Sequence, residues 1–296
     1  MLTERDLAGV YVPTVTPFAP NEELDLDSYQ DYLEKLLNHD IQGLVINGTT
    51  GEAPTLLWEE VRTLVQATKN VLSNLHKQIP LIIGTGTNST FTTVKRTEQA
   101  AQLGADAVLV VTPYYNRPSQ EGVIEHFRSV AQAGVPVIAY EVPSRTSIHL
   151  TTDTISRILD LNGVIGLKDS SGGLDLISEL APSAAKPILC GDDLQFCSML
   201  KHGASGGILA SANIQTGTFL QVYKLTGQGE FTKARQMFDS LVPLVTKLFQ
   251  ESNPAPVKWV LAKQGILSSD TLRLPMSSIS KDLQLDLEKL LQDYAP

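Results

Sequence analysis

The chain of 296 residues is 42% hydrophobic and 19% charged, with a formal net charge of −9 and a pI near 5.1. Such a composition supports a large core and excludes a disordered chain, and the absence of clustered Lys and Arg excludes a surface built to neutralise nucleic-acid phosphates. Two cysteines, Cys190 and Cys197, exclude a disulfide scaffold, and five scattered histidines without H-x-H or H-E-x-x-H spacing argue against a bound metal.

The first residues carry Glu4, Arg5 and Asp6 and lack the apolar run of a signal peptide or membrane span, so a cytoplasmic protein with no membrane contact is expected. Eight short apolar, β-branched runs then recur. They are Gly9 to Phe18, Gly43 to Gly48, Pro80 to Gly86, Ala107 to Pro113, Pro136 to Pro143, Val164 to Ser170, Pro187 to Asp193 and Gly206 to Ala212. The runs are nearly continuous rather than alternating, as in parallel strands buried on both faces. Amphipathic segments lie between them, among them Leu26 to Leu37, Trp58 to Leu72, Thr92 to Leu103 and Glu121 to Ala133.

Eight such units, without a glycine-rich dinucleotide fingerprint after the first strand, predict an α/β fold of the (β/α)8 TIM-barrel type rather than an open doubly wound sheet. Past Gln228 the strand signals stop and three helical stretches follow, near Glu230 to Phe249, Ala255 to Gln264 and Lys281 to Tyr294. The expected division is a catalytic barrel over residues 1–228 and a small helical C-terminal domain over residues 229–296.

Barrel active sites are built at the C-terminal ends of the strands. Here those ends are polar: Thr49, Thr50, Gly51 and Glu52; Tyr114, Tyr115 and Asn116; Tyr140, leading to Arg145; Lys168; and Gly191, Asp192 and Asp193. Lys168 interrupts the apolar run VIGL and is expected to point into the barrel, where burial disfavours an ammonium and yields an amine able to attack a ketone. The competing reading is an ion pair with Asp169 or Glu141. Tyr140 on the neighbouring strand can pass protons to a carbinolamine or simply pack. Thr49 and Thr50 can relay protons or bind a carboxylate, or can serve as a turn and N-cap. Arg145 offers a fork of donors to a substrate carboxylate, or is an ordinary exposed arginine.

Taken in order, GTTGE (Gly48 to Glu52), TPYYNRPSQEG (Thr112 to Gly122), YEVPSRT (Tyr140 to Thr146), GLKDSSG (Gly166 to Gly172), GDD (Gly191 to Asp193), NPAPVKW (Asn253 to Trp259) and LRLPM (Leu272 to Met276) resemble the dihydrodipicolinate synthase family over essentially the whole chain. That family lies within the superfamily that also holds N-acetylneuraminate lyase. The resemblance implies a class I aldolase-type lyase that condenses pyruvate with L-aspartate 4-semialdehyde to 4-hydroxy-tetrahydrodipicolinate, in lysine and diaminopimelate biosynthesis. It implies that Lys168 forms a Schiff base with pyruvate, and that Tyr140 and Thr50 relay protons with Tyr115 supplied from a neighbouring subunit. Thr49 and Thr50 would bind the pyruvate carboxylate, Gly191 and Ile208 would line the substrate site, and Arg145 would hold the carboxylate of the aldehyde. No metal or diffusible cofactor is implied. The implied assembly is a homo-oligomer, a tetramer built as a dimer of dimers.

The resemblance also implies a lysine-binding allosteric site at Asn88, Tyr114 and Trp58. Thr92 stands where a carboxylate would meet the ligand's ammonium, so weak or absent feedback inhibition is expected. The chain departs from the family pattern at Glu141, usually Asn, and at Asp169-Ser170, a pairing more familiar among sugar-acid members. The alternative is therefore another pyruvate-forming class I aldolase acting on a 2-keto-3-deoxy sugar acid or sialic acid. From other classes, a hydrolase using Glu52 and Glu141 as a carboxylate pair and a barrel that only binds a small acid are also carried forward.

Overall fold

A computed structural model describes residues 1–181 and 186–293. Eight parallel strands close into a barrel in sequence order: β1 (Gly9–Pro13), β2 (Gly43–Ile46), β3 (Leu81–Gly84), β4 (Ala107–Val111), β5 (Val137–Glu141), β6 (Val164–Asp169), β7 (Ile188–Cys190) and β8 (Gly206–Ile208). The helices are α1 (Leu26–Leu36), α2 (Trp58–Asn74), α3 (Thr90–Gln102), α4 (Gln120–Ala131), α5 (Pro143–Thr146), α6 (Thr152–Leu159), α7 (Asp175–Leu180), α8 (Phe196–Lys201), α9 (Thr216–Gly227), α10 (Phe231–Leu248), α11 (Ala255–Lys263) and α12 (Lys281–Asp293). Tyr294, the expected end of the last helix, lies outside the described residues, as do the two residues after it.

Each of the eight predicted strands is present, and all eight end earlier than the apolar runs suggest. The first run extends to Phe18, yet β1 stops at Pro13: Thr14, Val15 and Thr16 are buried outside any strand, and Phe18 makes an isolated antiparallel bridge with Leu24. Burial, not ladder pairing, sets the composition of that loop. Helix starts follow capping chemistry: Asp25, Ser89, Ser119 and Thr151 each accept a hydrogen bond from a first-turn backbone N–H, satisfying donors that the helix itself leaves unpaired.

Two compact units are distinguished. The first comprises Met1–Tyr11, Gln42–Val45 and Pro80–Leu209. Its core gathers Leu2, Leu7, Tyr11, Val45, Ile82, Leu109, Ile138, Tyr140, Leu189 and Ile208. Gly166 is needed here, since a Cβ would come within 2.6 Å of Leu7 and 2.7 Å of the Pro187 carbonyl. The second comprises Val12–Ile41, Ile46–Ile79 and the chain from Ala210 onward. In it Asn213 donates to the carbonyls of Pro13 and Ala210 at 2.9 and 2.8 Å, Tyr29 meets Thr68 at 2.9 Å, and Phe219 of α9 packs edge-on against Phe238 of α10.

Candidate active site

Strand pairing sets the centre of the site. β5 and β6 place Tyr140 directly opposite Lys168, and Glu141 opposite Asp169. Side chains alternate along a strand, so the two pairs face opposite sides. Tyr140 belongs to the inner core, and both it and Lys168 are 6% exposed. The Lys168 Nζ lies 4.1 Å from the centroid of the Tyr140 ring. Gly191 makes the room: a Cβ there would stand 2.7 Å from Lys168 Cε and 2.9 Å from its Cγ.

Glu141 and Asp169 do not pair with this lysine. The Glu141 carboxylate accepts from Thr112 Oγ1 at 2.9 Å and from the Leu150 N–H at 3.0 Å, tying β4 to the segment after α5. Asp169 accepts from the Ser171 N–H at 2.8 Å. Burial pushes both carboxyls up from their usual range, opposed by these hydrogen bonds. Among the described residues Lys168 forms no ion pair, so the competing structural reading of this lysine is set aside. Glu141 lies on the outer face of the strand among Phe127, Leu150 and Ile155, where it braces a loop.

Other candidates of the first unit fall into two groups. Ile208, at the end of β8 and opposite Tyr11, is buried in the same core as Tyr140. Arg145, Tyr114 and Tyr115 sit on segments beyond the strands. Arg145 is exposed in the one-turn α5, which ends at Ser147 with a φ of 59°. Tyr115 is 87% exposed with a φ of 68°, a left-handed conformation that a bulky residue adopts at a cost of about 1–2 kcal/mol. Its neighbour Asn116 donates to the Asn88 carbonyl at 2.7 Å, joining the expected allosteric segments, while Tyr114 is half-buried.

In the second unit the GTTGE segment forms a tight turn after β2, in which the Gly51 N–H donates to Gly48 and the Glu52 N–H to Thr49, both at 3.1 Å. A Cβ on Gly51 would press against the Thr14 carbonyl at 3.1 Å. Neither threonine caps a helix; Glu52, at a φ of 59°, precedes the short 3-10 turn Ala53–Thr55. Thr50 is buried, and its Oγ1 accepts from Asn253 Nδ2 at 3.1 Å. Glu52 meets Lys258 Nζ at 2.6 Å with both side chains fully buried, and its second oxygen accepts from the Arg273 N–H at 3.3 Å. Burial pushes the Glu52 carboxyl up and the Lys258 ammonium down, each shift opposed by the other's charge. Arg273 stacks 4.3 Å over Phe18 and binds Glu60 in bidentate fashion. Trp58 opens α2 and is half-buried.

Sequence reasoning gave Asn253, Lys258 and Arg273 no role, although they lie in two of the motifs quoted above. A signal was present: Lys258 interrupts an apolar run, APVKWVLA, just as Lys168 does. With Glu52 held by Lys258 and Glu141 by Thr112 and Leu150, the carboxylate pair of a hydrolase is committed elsewhere. Among the described residues no three His, Cys, Asp or Glu side chains are placed to hold a metal ion, and no helix is long and apolar enough to cross a membrane.

Comparison with known proteins agrees with this geometry. Residues 6–294 match the model of the Dihydrodipicolinate synthetase family. A 4-hydroxy-tetrahydrodipicolinate synthase from Coxiella burnetii is 38% identical over 286 residues, covering 96% of this chain and 97% of that protein. One from Thermomicrobium roseum is 39% identical over 280 residues, covering 93% and 90%. Among solved structures, the chloride-inhibited dihydrodipicolinate synthase of Acinetobacter baumannii complexed with pyruvate superposes with a TM-score of 0.93 at 34% identity, over 97% of this chain and 98% of that one. With an eight-stranded barrel, an inward lysine on β6 facing a tyrosine on β5, and a match along nearly its whole length, the chain belongs to the dihydrodipicolinate synthetase family.

Proposed function

We propose that the chain catalyses the condensation of pyruvate with L-aspartate 4-semialdehyde through a Schiff base on Lys168. The observation that carries this reading is a buried lysine with no counter-ion among the described residues, its Nζ 4.1 Å from the centroid of the Tyr140 ring. The Lys168 amine adds to the C2 carbonyl of pyruvate, and loss of water from the carbinolamine gives the iminium. The iminium withdraws electrons and acidifies the C3 methyl, a base takes up one of its protons, and the resulting enamine carbon bonds to the aldehyde carbon of the second substrate, whose oxygen is protonated to the hydroxyl. Attack of the substrate's own amino group on C2 then displaces Lys168 and closes the ring, giving 4-hydroxy-tetrahydrodipicolinate with one water released overall. The chemistry needs an amine and a path for protons, and no metal or diffusible cofactor enters it.

Tyr140 and Thr50 carry the protons, with Tyr115 entering from a second copy of the chain. The exposed ring and left-handed backbone of Tyr115 support this, since its own subunit does not bury it. The functional assembly is a homo-oligomer with the tight dimer as its minimal unit and a tetramer as the full form. Thr49 and Thr50 receive the pyruvate carboxylate at the turn after β2, and Gly191 and Ile208 shape the space beside Lys168. Arg145 receives the carboxylate of the aldehyde. Asn88, Tyr114 and Trp58 form the lysine site, and the reaction takes place in the cytoplasm.

Glu141 and Asp169 lie on the outer face of their strands, away from Lys168, and this favours the semialdehyde over a sugar acid; of the residues that depart from the family pattern, Ser170 is the one whose hydroxyl lies against Gly191, beside Lys168. Steady-state kinetics test the assignment. Turnover with pyruvate and aspartate semialdehyde, and none in cleavage of 2-keto-3-deoxy sugar acids, is the expected result; the reverse preference assigns the other branch. Arg145→Ala raises KM for the aldehyde about 10- to 100-fold with pyruvate imine formation intact, whereas Tyr115→Phe lowers kcat by about 10²- to 10⁴-fold.

A further inference from the structure

The chain leaves β5 at Glu141, turns through α5, which carries Arg145, and returns to Glu141: the Leu150 N–H donates to the Glu141 carboxylate at 3.0 Å. The other carboxylate oxygen accepts at 2.9 Å from Oγ1 of Thr112, the residue that follows β4. Residues 142–149 therefore form a loop whose entry and exit are both fixed by one side chain, itself 2% exposed. Inside the loop the ties run on to the arginine. The Arg145 N–H donates to the Val142 carbonyl at 2.9 Å, and the Thr146 hydroxyl reaches the carbonyls of Val142 and Ile148, both at 3.3 Å. From outside, Gln120 holds the same exit, donating to the His149 carbonyl at 3.0 Å and accepting from the Thr151 N–H at 3.1 Å.

We infer that Glu141 is a positioning residue for Arg145 and that it thereby sets the affinity for the second substrate. A carboxylate only accepts, so it suits two donors at once, and its bonds to N–H and O–H groups are charge-assisted, roughly twice as strong as neutral ones. Burying an acid on the outer face of a strand costs free energy, and what this one secures is the exit of the loop that carries Arg145. With the exit released, the loop samples many conformations. The Arg145 guanidinium then meets the aldehyde's carboxylate for a smaller fraction of the time, and apparent affinity falls by that fraction. Lys168 projects from the opposite face of the sheet, so imine formation with pyruvate proceeds as before. The inference rests on the proposed role of Arg145 as the group that holds the aldehyde's carboxylate.

The test uses the full chain with Glu141→Leu, Glu141→Gln, Arg145→Ala and the double variant Glu141→Leu with Arg145→Ala. Glu141→Leu raises KM for the aldehyde about tenfold, while the rate of borohydride-trapped imine formation with pyruvate stays within about twofold of wild type. Glu141→Gln rescues: its amide oxygen accepts from Leu150 and its NH2 donates to Thr112 Oγ1, whose own proton has the Tyr140 carbonyl at 3.2 Å. The double variant carries the diagnostic. If Glu141 acts through Arg145, adding Glu141→Leu to Arg145→Ala changes KM for the aldehyde by less than about twofold, whereas a general structural role multiplies the two penalties. Multiplied penalties overturn the inference, as does a Glu141→Leu enzyme with the wild-type KM. Where Glu141→Leu does not fold, Gln120→Ala at the same exit takes its place, with a rise in KM of at least about threefold in the wild-type background and none in Arg145→Ala. An unchanged KM in Arg145→Ala would instead remove the reading of Arg145, and the inference with it.

Discussion

Lys168 and Lys258 present the same signal in sequence, a lysine inside an apolar run, and both are buried. Their surroundings differ. Lys258 is fully enclosed against Glu52, and burial lowers its pKa despite that carboxylate; the ion pair is expensive to bury and rewarded only by its close geometry. Among the described residues Lys168 has no carboxylate partner; it meets the face of Tyr140 beside the space that Gly191 leaves open. A lysine kept inside without a counter-ion is set up to react, and one kept inside with a counter-ion is set up to hold structure. Inspecting the partner, rather than the burial, separates the two.

Replacing each lysine by methionine is the strongest way to break this comparison. Lys168→Met should abolish imine formation and lower kcat/KM by at least about 1,000-fold, while leaving unfolding free energy within about 1 kcal/mol of wild type, since no partner is orphaned. Lys258→Met should destabilise by about 3–5 kcal/mol in denaturant titrations, because Glu52 is left buried and uncompensated. The double change Glu52→Gln with Lys258→Met should recover most of that loss. If the stability losses were reversed between the two sites, the roles assigned here would be exchanged.

His126 extends the comparison to a third buried base. Its Nδ1 meets Thr90 Oγ1 at 2.9 Å, its Nε2 has no partner among the described residues, and burial brings its pKa down to about 4. The unfolded chain takes up the proton near pH 6.5 and the folded chain only near pH 4. Stability linked to this group is therefore complete above about pH 6.5 and lost as pH falls toward 4, amounting to about 2 kcal/mol at about pH 5. His126→Leu should remove that share of the acid sensitivity; an unchanged loss between neutral pH and 5 would show that the imidazole already titrates normally.

The barrel was legible because its strands are short, continuous and apolar, and Lys168 because a charge breaks one of them. The ends of β1 and β8 were less legible: the residues that follow are buried loop with strand-like composition. Lys258 went unread for another reason. Its partner lies 206 positions away in the chain, and no local pattern records that distance. The reading of Glu141 as a sign of a different second substrate also depended on orientation, which the register of β5 and β6 supplies and the motif does not.

The smallest expected effect concerns the lysine site. Thr92, at the start of α3, offers a hydroxyl that itself donates to Ser89 Oγ at 3.1 Å and carries no charge to meet an ammonium. A charge-assisted hydrogen bond is roughly twice as strong as a neutral one, so sub-millimolar lysine should leave the rate nearly unchanged. Strong inhibition in a steady-state titration would mean that another carboxylate, such as Glu59, serves instead, since Glu60 is held by Arg273.

The central claim, that the lysine without a counter-ion is the nucleophile, is tested most directly by reducing the protein with borohydride in the presence of pyruvate and locating the adduct by peptide mass. The account predicts one adduct per chain, on the peptide carrying Lys168, with the Lys258 peptide unmodified. An adduct on Lys258, or an active preparation whose Lys168 peptide remains unmodified, would contradict it.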